Sequence, residues 1–263
     1  MAKKRRIRWD RVAMVAIPFF LLILLLCKAC DGDEKKKPKE ESSADTSSSQ
    51  VVDVPVDKPV EPDEFIVVID AGHGGKDSGA TNKDGSRLEK DDNLRLALAT
   101  RDALQKYPDV KVLMTREDDT FIPVHDRPVI ANEAHADLFV SLHRNTATEG
   151  NGVEVWYDKS EDTDLDQILS EFIMETIADV GVSNNRGAKV GSRGSGSADD
   201  LDDGYIVNRE TDMPSCLVEM GFMSSKEDND NFDNKLMEYA DAIAKAIMDL
   251  KKFYKLDQLE TLT

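Results

Sequence analysis

Cysteine is scarce in this chain, with three in 263 residues. Cys27 and Cys30 sit near the N-terminus and Cys216 lies in an apolar run, so no disulfide framework is visible. The Cys27/Cys30 spacing is read as incidental, because no βαβ pattern follows it. Basic residues are outnumbered, 34 against 52 acidic, for a net charge of -18. That balance excludes nucleic acid as a partner, since phosphate binding needs a basic face. No internal repeat, no second folded domain and no short zinc-binding pattern occur. Trp156 and Phe222 are read as packing groups, and Cys216 as a small buried hydrophobe.

What is present begins with a membrane signal. Residues 1–11 carry Lys3, Lys4, Arg5, Arg6, Arg8 and Arg11, and residues 12–27 are free of charge. A basic cluster followed by such a run marks an export signal or a signal anchor. The run is slightly short for a span, but Lys28 can snorkel. Cys27-Lys28-Ala29 is a poor cleavage site. Residues 1–30 are therefore expected to be a basic cytoplasmic flank plus a signal anchor. That places a single-pass protein in the cell membrane through residues 12–27, with its folded part outside the cytoplasm. A secreted form, or a lipoprotein acylated on Cys30, is the alternative. Residues 31–63 are rich in Lys, Glu, Asp, Ser and Pro. They are expected to be a disordered linker, being unable to bury enough surface to fold.

The remaining residues, 64–263, read as one domain. Strands are expected over residues 65–70, 110–115, 138–143, 152–157 and 214–220, each an apolar or alternating run bounded by turn residues. Helical spacing appears over residues 90–107, 124–134, 164–180 and from Phe232 to Leu250. Residues 183–204 are rich in Gly, Ser and Asp and read as a long loop. Strands alternating with helices imply a single α/β domain, a twisted sheet with helices on both faces.

The chain is organised around residues 67–75, Val-Val-Ile-Asp-Ala-Gly-His-Gly-Gly. A strand runs into Asp70, and a glycine turn then carries His73. Open α/β sheets place ligands at the carboxyl ends of strands. Taken alone, the turn is also compatible with a phosphate-binding loop. Two further strands end in candidate groups, at His143 and at Glu219, and Glu89 opens a helix just after the glycine loop. Two histidines and a carboxylate suit a catalytic zinc, which keeps a position open for water. A metal-free glycosidase built on Glu89 and Glu219 remains open at this point, although it leaves His73 and His143 without a role. His125 and His135 flank a charged helical region and are expected at the surface.

Several segments together resemble the zinc-dependent N-acetylmuramoyl-L-alanine amidases of the type 3 family. They are residues 69–80, Glu89-Lys90-Asp91, Thr115-Arg116, Arg127, Ala131-Asn132, residues 136–145, Met213-Pro214 and residues 217–222. The resemblance runs in order over about residues 65–250. It implies a mixed sheet of about six strands, Zn2+ held by His73, Glu89 and His143, and Glu219 as the catalytic carboxylate. It also implies peptidoglycan (muramyl peptides) as substrate and hydrolysis of the amide between N-acetylmuramic acid and L-alanine in a bacterial wall. A catalytically silent peptidoglycan-binding module of the same fold is the alternative, and a monomer is expected. Arg144 departs from the small residue usual in the family. Arg116, Asn145 and Arg144 are candidate substrate contacts, with Arg116 equally able to pair with Asp118 or Asp119. No cell-wall-binding repeat is expected after the domain, so targeting is expected to come from the anchor.

Overall fold

The structure is a computed structural model that describes residues 64–158, 164–191 and 205–260, with side chains described as far as residue 254. The expected anchor at residues 12–27 and the linker at 31–63 lie outside the described residues. Among the described residues no helix is long and apolar enough to cross a membrane.

Six strands form one sheet in the order β2-β1-β3-β6-β4-β5. They are β1 (Phe65–Ala71), β2 (Val110–Met114), β3 (Leu138–Asn145), β4 (Val153–Tyr157), β5 (Asn185–Val190) and β6 (Ser215–Phe222). The first four in spatial order run parallel, and β4 lies antiparallel to β6 but parallel to β5. The sheet is thus mixed, as expected. The central strands β1, β3 and β6 are buried along almost their whole length. A strand with both faces covered reads as a near-continuous apolar run, and theirs do.

The helices are α1 (Glu89–Leu104), α2 (Asp126–Glu133), α3 (Asp164–Val180), α4 (Ile206–Arg209), α5 (Lys226–Asn234) and α6 (Leu236–Glu260). Side chains alternate across a strand. Val67, Ile69, Val140, Leu142, Cys216 and Val218 therefore share one face, packed with Leu96 of α1, Ile173 of α3 and Ile243 of α6. Val68, Phe139, Leu217 and Trp156 point the other way, onto Ala131 of α2 and Val207 of α4. Asp70, Ser141, His143, Glu154 and Glu219 share the parity of this second face.

The structure departs from the sequence reading in two places. Strand β5 lies inside the stretch expected to be loop, and residues 192–204 of that stretch lie outside the described residues. β5 is an edge strand with little apolar surface, only Ala188 and Val190, and it pairs across a register shift. Neither period-2 alternation nor a buried run announces such a strand. The expected last helix is two helices, divided at Lys235. Ser225 caps the first of them by accepting from the Asp228 amide. Pro128 is no obstacle to α2, because the helix starts at Asp126 and the proline falls in the first turn.

Candidate metal centre

The site lies at the carboxyl edge of β1 and β3, where the glycine turn leaves the sheet. Its foundation is Asp70, fully buried at the end of β1. A buried carboxylate must be compensated. Asp70 accepts from Arg127 Nη1 (2.6 Å), Thr115 Oγ1 (2.6 Å) and Ser141 Oγ (2.6 Å). Burial pushes its pKa up, but Arg127, Ser141 and Thr115 more than reverse this and hold it below the usual range. Arg127 also donates to the carbonyls of Ala71 (2.8 Å), His73 (2.8 Å) and Ile122 (2.9 Å). Arg116 grips the same turn, donating to the carbonyls of Ala71, Gly72 and Lys90, each at 2.9 Å. Two guanidinium groups therefore fix the backbone that carries His73.

That backbone is unusual. His73 has φ 62°, in the left-handed region. Non-glycine residues adopt it rarely and cluster at functional sites when they do. Gly72 must be glycine, since a Cβ there would lie 2.2 Å from the His143 ring. At Gly79 a Cβ would lie 2.6 Å from His73 Cδ2 and 2.7 Å from Glu89 Oε2. The loop also terminates α1. Its Ser78 and Ala80 carbonyls accept from the Lys90 and Glu89 amides (3.1 and 2.9 Å), which satisfies the first N–H groups of a helix that has no side-chain cap.

His73, Glu89 and His143 meet there, with one ligand atom from each lying within 4.8 Å of the others. Glu89 Oε1 is 3.0 Å from His143 Nδ1 and 3.3 Å from His73 Nε2. It also accepts from the Arg144 amide (3.1 Å), while Oε2 accepts from the Ala80 amide (2.7 Å). The imidazole rings are T-shaped, 4.9 Å between centroids. Glu89 is buried, whereas the His73 and His143 side chains keep 25% and 18% exposure, so the site opens to solvent on its histidine side. Asp77 Oδ2 lies 2.8 Å from His73 Nδ1 and orients that ring. Burial acts to lower the His73 pKa, but Glu89 and then Asp77 outweigh it and raise it to about 9. Glu89 is itself held well below the carboxylate range: burial opposes this, and His143 and His73 bring it about.

The donor set fits a divalent cation. Atoms placed tetrahedrally at zinc-ligand distance are about 3.4 Å apart. The two Glu89–histidine separations are close to this, and two nitrogens with one carboxylate oxygen leave a fourth position open. Glu219 is not in that group of three. It sits beside it, because the β3–β6 register pairs His143 with Glu219.

Comparison with known proteins identifies the family. The profile of the family described as N-acetylmuramoyl-L-alanine amidase matches residues 67–249. The chain belongs to that family. An endolysin of Bacillus phage SPP1 is 37% identical over 198 residues, 71% of this chain and 67% of the phage protein. A probable cell wall amidase LytH from Staphylococcus epidermidis is 30% identical over 192 residues, 72% of this chain. The chain spans only 58% of that staphylococcal protein. Among solved structures, an N-acetylmuramoyl-L-alanine amidase from Clostridium difficile 630 superposes with a TM-score of 0.62. It is 34% identical and covers 74% of this chain and 98% of its own. The single-domain, six-stranded mixed sheet is the architecture these amidases share.

The three side chains expected as substrate contacts, Arg116, Asn145 and Arg144, are all engaged within the fold. Arg144 is wholly buried, paired with Asp92, bonded to Asn229 Oδ1 (2.7 Å) and stacked 4.4 Å from the Phe232 ring centroid. Its guanidinium cannot meet a substrate without unmaking that network. Arg116 spends its donors on carbonyls, including that of Asp118 (2.8 Å), and forms no ion pair with Asp118 or Asp119. Asn145 is buried and donates to Glu154 Oε1 (2.7 Å). All three build the site's walls. Of the other histidines, His125 is exposed and lies 3.0 Å from Glu210, and His135 takes φ 49° just past the end of α2. Asp70, Asp77 and Arg127 escaped the sequence reading as site residues. The one available signal was a charged residue closing the apolar run of β1.

Proposed function

We propose that this amidase hydrolyses the amide between N-acetylmuramic acid and L-alanine in peptidoglycan, using Zn2+ held by His73, Glu89 and His143. The observation that carries the reading is the meeting of these three side chains beside Glu219 at one sheet edge. Bound zinc would supply Lewis acidity, polarising the scissile carbonyl and acidifying the attacking water.

The chain's own groups do the rest. Asp77 holds His73 by Nδ1, which leaves Nε2 directed at the site. Glu89 and Asp77 raise the His73 pKa to about 9, so His73 would have to release a proton to serve as a ligand. The Ala80 and Arg144 amides fix both Glu89 oxygens. Glu219 takes a proton from the attacking water and delivers it to the departing amine of L-alanine, as base and then acid.

The basic flank and charge-free run support a further proposal, that residues 12–27 anchor the protein in the cell membrane with the amidase outside the cytoplasm. Purified full-length protein incubated with peptidoglycan should release new L-alanine amino termini. New reducing sugar ends in their place would point to a glycosidase. No new ends of any kind would point to a silent binding module.

A further inference from the structure

The row His143–Glu219 continues one strand further, because the β6–β4 register pairs Glu219 with Glu154. Glu154 is 1% exposed, and two cations converge on its Oε2: Arg186 Nε at 2.6 Å and Lys189 Nζ at 2.5 Å. Both come from the edge strand β5. Its Oε1 is already taken by Asn145 Nδ2 (2.7 Å) and Trp156 Nε1 (3.3 Å). A buried carboxylate needs one opposite charge and hydrogen bonds to fill its lone pairs. Here Glu154 faces two opposite charges, one more than its own carboxylate requires.

The cations are also not used up. Arg186 donates to Glu154 through Nε alone, and its Nη groups make no bond among the described residues. The Arg186 and Lys189 side chains are 30% and 32% exposed, above the buried glutamate. Aromatic faces hold them in place: Arg186 lies 5.1 Å from the Phe222 ring and Lys189 5.1 Å from the Trp156 ring. The arrangement is a partly exposed cationic pair over Glu154, carried by a strand two places from that of Glu219.

We propose that Arg186 and Lys189 form a subsite for a carboxylate on the peptide side of the scissile amide. The inference rests on the amidase reading given above. In a muramyl peptide the lactyl carboxyl is consumed in the amide, so the remaining anionic groups are carboxylates of the peptide. Neighbouring strands are about 4.8 Å apart, which puts the Glu154 column roughly 10 Å from His143. An extended peptide advances about 3.3–3.6 Å per residue. The second or third residue beyond the cleaved bond therefore reaches the pair, and an arginine fork with free Nη groups suits a carboxylate.

The test compares muramyl peptides that differ only in carrying a carboxylate or a carboxamide at the second or third residue. The unmodified full-length protein should favour the carboxylate by roughly tenfold to a hundredfold in kcat/KM, the range of one or two charged hydrogen bonds. The difference should lie mainly in KM and shrink as salt is raised. Arg186→Gln should bring the carboxylate substrate down towards the carboxamide one, with zinc content and melting temperature recorded alongside. Equal handling of the two peptides by the unmodified protein overturns the subsite, whether or not the variant folds. An equal loss on both peptides in Arg186→Gln overturns it too, and leaves Arg186 as a neutraliser of Glu154. Cleavage of neither peptide by the unmodified protein removes the amidase reading itself.

Discussion

His143 and Glu219 are register partners on the adjacent parallel strands β3 and β6, and both side chains emerge on the same face of the sheet. The pairing puts a candidate ligand next to a carboxylate outside the candidate ligand group. In the proposed division of roles, metal binding and proton transfer fall to neighbouring strands, so each should be removable without removing the other.

Zinc uptake by the metal-free protein should depend on pH. His73 is raised to about 9, from an ordinary 6.5. Because its folded value is the higher one, protonated His73 stabilises the metal-free protein fully below pH 6.5, and that stability is lost as pH rises through about 9. Zinc must displace the same proton, so its affinity should move the opposite way, strengthening about tenfold per pH unit from pH 7 and levelling above about 9. A competition titration with a chromophoric chelator reads the slope. A flat profile would mean that His73 is neutral before metal arrives.

Gly72→Ala should disable the site while leaving most of the fold intact. Its Cβ would lie 2.2 Å from the His143 imidazole, which must move. Displacing a catalytic group by about 1 Å is commonly worth about 10²-fold, and activity should fall by at least that. Near-normal zinc affinity in this variant would show that His143 is not held against the turn.

Arg144→Ala should act on stability and zinc affinity and not on substrate affinity. The guanidinium pairs with Asp92 and stacks on Phe232, while the same residue's amide holds Glu89. Removing one partner of a buried ion pair costs about 3–5 kcal/mol. Urea unfolding should show a loss of that order. A raised KM with unchanged unfolding would instead restore Arg144 as a substrate contact.

Asp70→Asn should be similarly destabilising, by about 3–5 kcal/mol, since it leaves Arg127 buried without its counter-charge. Asp70 has a depressed pKa in the fold. Its contribution is present above the unfolded carboxylate value of about 3.9 and is lost as pH falls through the folded one. The variant should therefore lose most of the difference from the parent protein in strong acid. A gap that persists there would place the stabilisation in packing and not in charge.

Much of this molecule was legible because its central strands are buried on both faces. The runs ending at Asp70, His143 and Glu219 are apolar enough to be read as strands, and position at a strand's carboxyl end then singled out His73, His143 and Glu219. What escaped depends on long-range pairing. Arg127 meets Asp70 across 57 positions, and no local period announces such a contact. The polar edge strand β5 read as loop because an edge strand needs no apolar alternation, so Arg186 and Lys189 were not associated with the site. Arg144 looked exposed because charge usually is; the Asp92 carboxylate and the Phe232 ring that bury it come from two other helices, α1 and α5.

The most direct test of the account is to measure zinc content and turnover together in Glu219→Gln and His143→Ala. Glu219→Gln keeps the shape of the side chain but cannot accept a proton. It should retain about one zinc per chain and lose about 10²–10⁴-fold in turnover on peptidoglycan. His143→Ala should lose zinc and activity together. A Glu219→Gln protein that comes away without zinc, or that keeps near-full turnover, would contradict the division of roles between His143 and Glu219.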